Sequence, residues 1–253
     1  MISVTILVKN GESTLFATLQ ALKNFEEIVV VDTGSCDRTL EIAAQFPNVR
    51  LFQRKFNGFG PAHNDAALLS QNEWILSIDA DEVVSNALSK EILETQLDPQ
   101  TVYFLPRHNY FNGKRIKWCG WGNEKCARLY HRGRTSFSAT LVHEGVITKD
   151  KTKVTLKNPL LHTPYGSLSD FLKKMELYST LFALEHKGKK TSSPWIALYH
   201  GMGAFLKSFF LKRGFMGGYE GFLISIYNGH TAFYKYLKLY HLNKSDVARN
   251  IIS

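Results

Sequence analysis

The sequence predicts an α/β protein: a mostly parallel sheet with helices on both faces, followed by a helical C-terminal extension. Three observations predict it. Short apolar, β-branched runs alternate with helical periodicity through the first 100 residues. Polar or acidic residues stand at the end of each run, where open α/β sheets bind their ligands. Beyond about residue 100 the alternation gives way to short antiparallel candidates and then to a basic, aromatic helical stretch.

Val4 to Val8 is the first strand, and Lys9-Asn-Gly-Glu-Ser13 is a turn and helix start ahead of a stripe of Leu15, Leu19 and Leu22. Ile28 to Val31 is the second strand; it ends in Asp32-Thr-Gly-Ser-Cys-Asp37 and opens a helix through Ala44. Val49 to Phe52 is the third, followed by the loop Asn57-Gly-Phe-Gly-Pro61 and a helix around Asn64 to Leu69. Trp74 to Ile78 is the fourth, with a helix from about Ser85 to Gln96 after it. Val102 to Pro106, Ile116 to Trp118, Ala127 to His131 and Thr140 to Ile147 then read as short strands, with Val154 to Leu156 and Leu160 to His162 closing the region. Ser167 or Ser169 caps a helix carrying Leu168, Phe171, Leu172, Met175, Tyr178 and Phe182. Lys187 to Pro194 is the best linker, and Trp195 to about Tyr240 reads as helical.

The net charge of +9 is unevenly placed. Residues 1–150 hold 16 Lys and Arg against 17 Asp and Glu, while residues 151–253 hold 15 against 5. The C-terminal part therefore suits a polyanionic partner or is a solvated basic face. Its Lys207, Lys212, Arg213, Lys235 and Lys238 lie among Phe, Tyr and Leu on predicted helices, which fits an anionic membrane surface better than nucleic acid, since single-stranded RNA platforms are usually strands. A helical hairpin that only packs on the rest of the chain is the alternative. Cys36, Cys119 and Cys126 form no paired framework and read as reduced thiols. No signal peptide pattern opens the chain and no apolar run reaches the 18 or so residues that spanning requires, so the expectation is a cytoplasmic, non-spanning protein.

The chemistry concentrates at Trp74-Ile-Leu-Ser-Ile-Asp-Ala-Asp-Glu82. Alternate residues of an extended segment share a side, so Asp79 and Asp81 would project together, as hard oxygen donors suited to Mg²⁺ or Mn²⁺ carried by a diphosphate. The bland alternative is a strand-end turn with solvated acids. Lys9, Asn10 and Asp32 occupy the other strand ends. Neither G-x-G-x-x-G after the first strand nor G-x-x-x-x-G-K-[ST] is present, against dinucleotide dehydrogenases and P-loop ATPases. The antiparallel region supplies candidates for a second substrate: Arg107, His108, Asn109, Trp121, Glu124, Arg128 and His143-Glu144. Trp121 alone reads more readily as packing than as sugar stacking, and Arg128 equally as a structural ion pair.

Val8-Lys-Asn10, Ile28-Val-Val-Val-Asp-Thr-Gly-Ser-Cys-Asp-Arg-Thr39, Asn57-Gly-Phe-Gly-Pro-Ala-His-Asn64, the segment ending Asp79-Ala-Asp-Glu82, Gly120-Trp121 before Arg128-Leu-Tyr130, Val142-His-Glu144 and Leu161-His162 come in this order over nearly the whole chain. In that combination the chain resembles the inverting, nucleotide-sugar-dependent glycosyltransferases of family 2, above all the bacterial branch that adds glucose or another hexose to heptose in the lipopolysaccharide inner core. The resemblance implies a Rossmann-like GT-A fold, a UDP-sugar donor, a phosphorylated glycolipid acceptor and Mn²⁺ or Mg²⁺. It implies a donor side of Lys9, Asn10, Asp32, His63, Asn64, Asp79, Ala80 and Asp81, with Asp81 and His162 on the metal. Two positions depart from the pattern: His63 stands where relatives tend to have Lys, and Gly217-Gly218 where many have an acid.

The implied reaction is a single displacement at the anomeric carbon, in which a carboxylate removes the acceptor proton. Glu144 is the first candidate for that base and Glu124 the second, with Trp121, Arg128 and His143 on the acceptor side. Residues 1–165 would form the nucleotide-sugar-binding and catalytic domain. Residues 166–253 would form a basic, aromatic extension that keeps the enzyme peripheral on the inner face of the bacterial inner membrane. The rivals are a metal-dependent nucleotidyltransferase, for which Lys9-Asn-Gly-Glu12 is a poor phosphate loop, and a non-catalytic nucleotide-sugar or RNA-binding module.

Overall fold

Four parallel strands make the frame of the computed structural model, which describes residues 1–122, 124–138 and 145–252, with side chains through residue 245. β1 (Ile2–Val8) lies between β2 (Glu27–Asp32) and β4 (Trp74–Asp79), and β3 (Val49–Gln53) flanks β2. The strand order β3-β2-β1-β4 reverses direction at β1, and a crevice for ligands opens at such a switch point, outside the carboxyl ends of the strands. The register brings those ends level: Val8 pairs with Asp32, and Leu7 with Asp79.

The run Ile28-Val-Val-Val31 shows why both faces are helix-covered. Ile28 and Val30 join the core that contains Leu15 and Leu19 of α1 (Leu15–Ala21) and Ile42 of α2 (Thr39–Ala43). Val29 and Val31 pack the other way, on Ala66 of α3 (Phe59–Leu69). A strand buried on both sides has no polar face and reads as a continuous apolar run.

The sheet continues from β4 through β8 (Glu124–His131) and β6 (Thr101–Phe111) to β10 (Leu160–His162) and β5 (Glu82–Val84), with β8 antiparallel to both β4 and β6 and β10 antiparallel to β5. α4 (Asn86–Glu94) follows β5; its Ser85 cap accepts from Leu88 N–H at 3.2 Å, satisfying a helix-start donor. β9 (Thr152–Thr155) runs parallel beside β6, and β7 (Lys114–Arg115) turns back on it as a hairpin.

By its contacts the chain divides into two units: residues 1–108 with 123–163, and residues 109–122 with 164–253. In the second, α5 (Leu168–His186) starts with a Ser167/Asp170 capping box, and α6 (Pro194–Leu206) with Ser193 and a proline in the first turn. A wide turn (Lys207–Leu211) and a tight one (Gly214–Gly217) lead to α7 (Gly218–Ile252). The aromatic core of this unit joins Phe111, Tyr165, Phe171 and Ile224, with Trp121 stacked 5.6 Å from Tyr165.

Ile116 to Trp118 is not a strand, contrary to expectation. The hairpin ladder ends where Ile116 N–H donates to Asn109 O, and Cys119 (φ +60°) and Gly120 (φ +88°) then turn the chain so that Cys119 N–H donates to Lys212 O. Most of the expected Thr140–Ile147 strand lies outside the described residues.

Candidate active site

The first two strand-end loops are laced together. Asn10 N–H donates to Ser35 Oγ at 2.7 Å, Cys36 N–H to Asn10 Oδ1 at 2.9 Å, Gly11 N–H to Thr39 Oγ1 at 2.8 Å, and Glu12 N–H to Asp37 Oδ2 at 3.0 Å. Asn10 adopts φ +54°, a conformation that Asn tolerates better than most residues, and its amide completes the turn. A Cβ on Gly11 would stand 2.6 Å from Val8 Cγ2, so the loops close this tightly only around glycine. Asp32 is buried and accepts from Gly34 and Ser35 N–H at 3.1 and 3.2 Å, while Lys9 is exposed. Asp32 thus bridges the end of β2 to the turn that follows.

The two aspartates of the central segment have separate partners. Both were expected to project together from extended chain, but β4 ends at Asp79 and the chain turns at Ala80 and Asp81 before β5. Arg128 sets both terminal nitrogens on the Asp79 carboxylate and donates from Nη2 to Glu82 Oε1 at 2.8 Å. Arg107 adds a bond to Glu82 Oε1 at 3.2 Å and holds Glu124 Oε2 from Nε and Nη2 at 3.0 and 2.8 Å. Glu82 Oε2 accepts the Asp79 N–H at 3.0 Å. Glu82 is wholly buried and Arg128 is 7 % exposed, so two guanidinium groups and three carboxylates form one chain of charge beneath the turn.

Burial pushes the Glu82 carboxyl up, against the opposing pull of Arg128. Burial also acts upward on Asp79, but Arg128 outweighs it and holds that carboxyl well below the usual range. Arg128, expected on the acceptor side, has its guanidinium committed inward. The role of Glu82 has no signal in the sequence: Glu-Val-Val shows no alternation, and only the structure puts Glu82 and Val84 on the buried side of β5.

Asp81 Oδ1 lies 3.5 Å from His162 Nε2, on a neighbouring strand, and the pairing of His162 with Glu82 in the β5–β10 ladder sets that approach. Thr163 N–H donates to Asp81 O at 3.2 Å, fixing the turn to the end of β10. These two side chains fit a divalent ion. Two donors about 2.1 Å from a common ion and at right angles to each other stand about 3 Å apart, close to the spacing found. No group of three His, Cys, Asp or Glu among the described residues can hold a metal, so the remaining ligands would come from a diphosphate and water, as Mg²⁺ prefers.

The expected loop ahead of Asn64 is already helix, since α3 starts at Phe59, and it does not present its side chains openly. His63 is buried, stacks on Phe137 at 4.2 Å and lies 3.2 Å from Ser77 Oγ through Nδ1. Asn64 clasps the Phe137 backbone, accepting its N–H at 2.9 Å and donating to its carbonyl at 3.1 Å. Trp121 packs in the aromatic core of the second unit, and Asn109 Nδ2 donates to its carbonyl at 2.9 Å. His143 and Glu144 lie outside the described residues.

Burial lowers His63 to about 4, with Asp79 pulling upward and Arg128 downward. In the unfolded chain its value is the ordinary 6.5, so on acidification the unfolded state takes the proton first. The stabilising effect is complete above pH 6.5 and is lost as pH falls toward 4. We expect His63→Gln to remove roughly 3 kcal/mol of the pH-dependent loss across that window, measured by urea unfolding at a series of pH values. Equal slopes for the two proteins would show that His63 is not held neutral.

A doubly covered parallel sheet with acids at its switch point and an Asp–His pair beside them defines a Rossmann-like α/β protein with its ligand crevice at the strand ends. The family model for glycosyl transferase family 2 matches residues 3–148. A glycosyltransferase of Rickettsia typhi is 30% identical over all of this chain and 90% of its own length. The lipopolysaccharide core biosynthesis glycosyltransferase LpsC of Rhizobium meliloti is 24% identical over 99% of this chain and 96% of its own. The mannosyltransferase PcManGT from Pyrobaculum calidifontis, solved with GDP-Man and Mn²⁺, superimposes with a TM-score of 0.56 at 11% identity, over 94% of this chain and 86% of that one. The chain belongs to glycosyl transferase family 2, and it is a glycosyltransferase with the GT-A fold.

Proposed function

We propose that the protein transfers a hexose, with UDP-glucose as the first donor to try, onto a heptose or similar sugar of a lipopolysaccharide inner core, with inversion at the anomeric carbon. The Asp81–His162 pair at the end of the central sheet carries this reading, because it places a carboxylate and an imidazole where a nucleotide diphosphate would meet the switch point. The acceptor class is supported by the likeness, over nearly the full length of both chains, to a transferase named for lipopolysaccharide core biosynthesis. Family membership favours sugar transfer over nucleotidyl transfer.

Asp32, buried at the start of its turn, would contact the uracil or ribose, and Lys9 and Asn10 would border the same pocket. Asp79 would hold the ribose and sugar side with the edge it keeps exposed, its other contacts fixed by Arg128. His63 and Asn64 would shape the donor floor through Phe137 and Ser77. Asp81 and His162 would hold Mn²⁺ or Mg²⁺, and such an ion, when bound, stabilises the charge of the leaving diphosphate. Trp121, Arg128 and His143 remain the acceptor-side proposals, Arg128 acting through the acids it holds.

A carboxylate of the chain takes the acceptor hydroxyl proton as the new glycosidic bond forms and the bond to the diphosphate breaks. Glu144 is the first candidate. Glu124 is second because one of its oxygens already accepts two guanidinium N–H bonds from Arg107. With UDP release followed on a truncated core lipid, Glu144→Gln is expected to lower kcat by about 10²–10⁴-fold with donor affinity kept. Glu124→Gln should stay within about tenfold of the parent, below the loss of a general base. The opposite ranking would transfer the role to Glu124, and full activity of both would remove the carboxylate-base reading.

A further inference from the structure

α6 is apolar on two sides, and one of them is uncovered. Small residues line the covered side: Ala197 and Gly201 are buried, and a Cβ on Gly201 would stand 2.9 Å from Phe233 Cβ of α7. From the other helix, a Cβ on Gly229 would stand 3.1 Å from Phe205 Cβ, so the two helices meet at glycine distance. The opposite side carries Trp195, Tyr199, Met202 and Leu206, spaced i, i+4, i+7 and i+11, and the wide turn extends it with Phe210 and Leu211. Trp195 and Leu211 are each 79% exposed and Tyr199 76%. Single exposed apolar residues are ordinary; a stripe running through a helix and into its turn marks a contact surface.

The length and charge of the segment indicate what covers it. Thirteen residues of helix reach about 20 Å, short of the roughly 30 Å of a bilayer core, and among the described residues no helix is long and apolar enough to cross a membrane. Between Glu185 and Glu220 there is no carboxylate and there are six Lys or Arg. Lys207, Lys212 and Arg213 are exposed at the end of the stripe. A second copy would set these like charges against one another. A nucleic acid would leave Met202, Leu206 and Leu211 without hydrocarbon to bury in. An anionic bilayer offers both phosphate and hydrocarbon.

We infer that the outer face of α6 and the turn after it, residues 194–213, lies in the interface of an anionic lipid bilayer, with Trp195 and Tyr199 at headgroup level and Lys207, Lys212 and Arg213 on lipid phosphates. The inference goes beyond the transfer reaction and does not depend on it. It also narrows the basic region to one face. Lys235 of α7 lies over the Phe182 ring at 5.3 Å, and Lys238 bonds Glu176 and Thr180, so these two cations are engaged within the unit.

The test is flotation of the full chain with phosphatidylcholine vesicles, with and without phosphatidylglycerol, at low and high salt. The parent should float with the anionic vesicles only, and less so in high salt. Lys207→Ser with Arg213→Ser should weaken binding about 25-fold, from about fivefold per cation. Trp195→Ser with Leu211→Ser should weaken it at least about tenfold, with thermal melting unchanged because both side chains are exposed. Lys235→Ser should stay within about twofold. Equal flotation of all variants, or a parent that never floats, would overturn the inference. So would a dimer in sedimentation velocity that Leu211→Ser dissolves, which would give the face to a second copy. UDP release measured with detergent-dispersed acceptor keeps a failure here separate from a failure of the transfer reading.

Discussion

Asp81→Asn is expected to lower kcat/KM at least about a thousandfold while leaving urea unfolding unchanged. The side chain is partly exposed and its carboxylate faces the His162 imidazole at 3.5 Å, which the amide of an asparagine can still accept from or donate to. A neutral amide is a far weaker ligand for a hard cation than a carboxylate, and the leaving diphosphate would lose the charge that offsets its own. His162→Ala should act in the same direction through the ion, raising the Mn²⁺ concentration for half-maximal rate more than about tenfold, with part of kcat recovered at saturating Mn²⁺. Titration of Mn²⁺ against UDP-release rate, with the UDP complex followed by electron paramagnetic resonance, reads both. An Asp81→Asn protein with parental kcat/KM would place the metal and the diphosphate elsewhere.

Arg128→Met is expected to destabilise the fold by about 3–5 kcal/mol, because it leaves buried Glu82 and its neighbour Asp79 without their shared counter-charge. Attraction alone does not explain the size. Desolvating the charges is costly, so a complete network is close to neutral against an apolar substitute, and the penalty falls on a network broken at one member. Arg128→Met combined with Glu82→Leu should therefore be less damaging than the single change, and a double-mutant cycle in urea separates the two. Arg128→Lys should fall between, since an ammonium group cannot set two nitrogens on Asp79 and one on Glu82 together. Because Glu82 also accepts the Asp79 N–H, loosening this network should raise donor KM as well. A stable Arg128→Met protein with parental KM would make the network a bystander.

Much of the strand frame, and the polar ends of its strands, was legible because it is local. Val4 to Val8, Ile28 to Asp32 and Trp74 to Asp79 are contiguous strand segments that end in or beside polar residues, and the structure levels Val8 with Asp32 and Leu7 with Asp79. Leu160 to His162 was equally readable as a strand, but its approach to Asp81 depends on pairing with β5 across almost eighty residues of chain. His63 and Arg128 show the converse. A histidine in a polar loop and an arginine on an alternating strand read as groups for substrate. Phe137 and Ser77 cover the first, and Asp79 and Glu82 draw the second inward.

Trp74-Ile-Leu-Ser-Ile-Asp-Ala-Asp-Glu82 determined by itself that a strand ends in acids, and the alternation around it determined the α/β class of the fold, because periodicity and turn chemistry are properties of neighbouring residues. Charge composition likewise placed the basic surplus in the C-terminal part. Tertiary structure decided the partners: Asp79 with Arg128, Asp81 with His162, Glu82 buried beneath both, and an uncovered apolar face on α6. A carboxylate takes its role from the nearest charge in space and from its distance to water, and both are set only when distant strands pair.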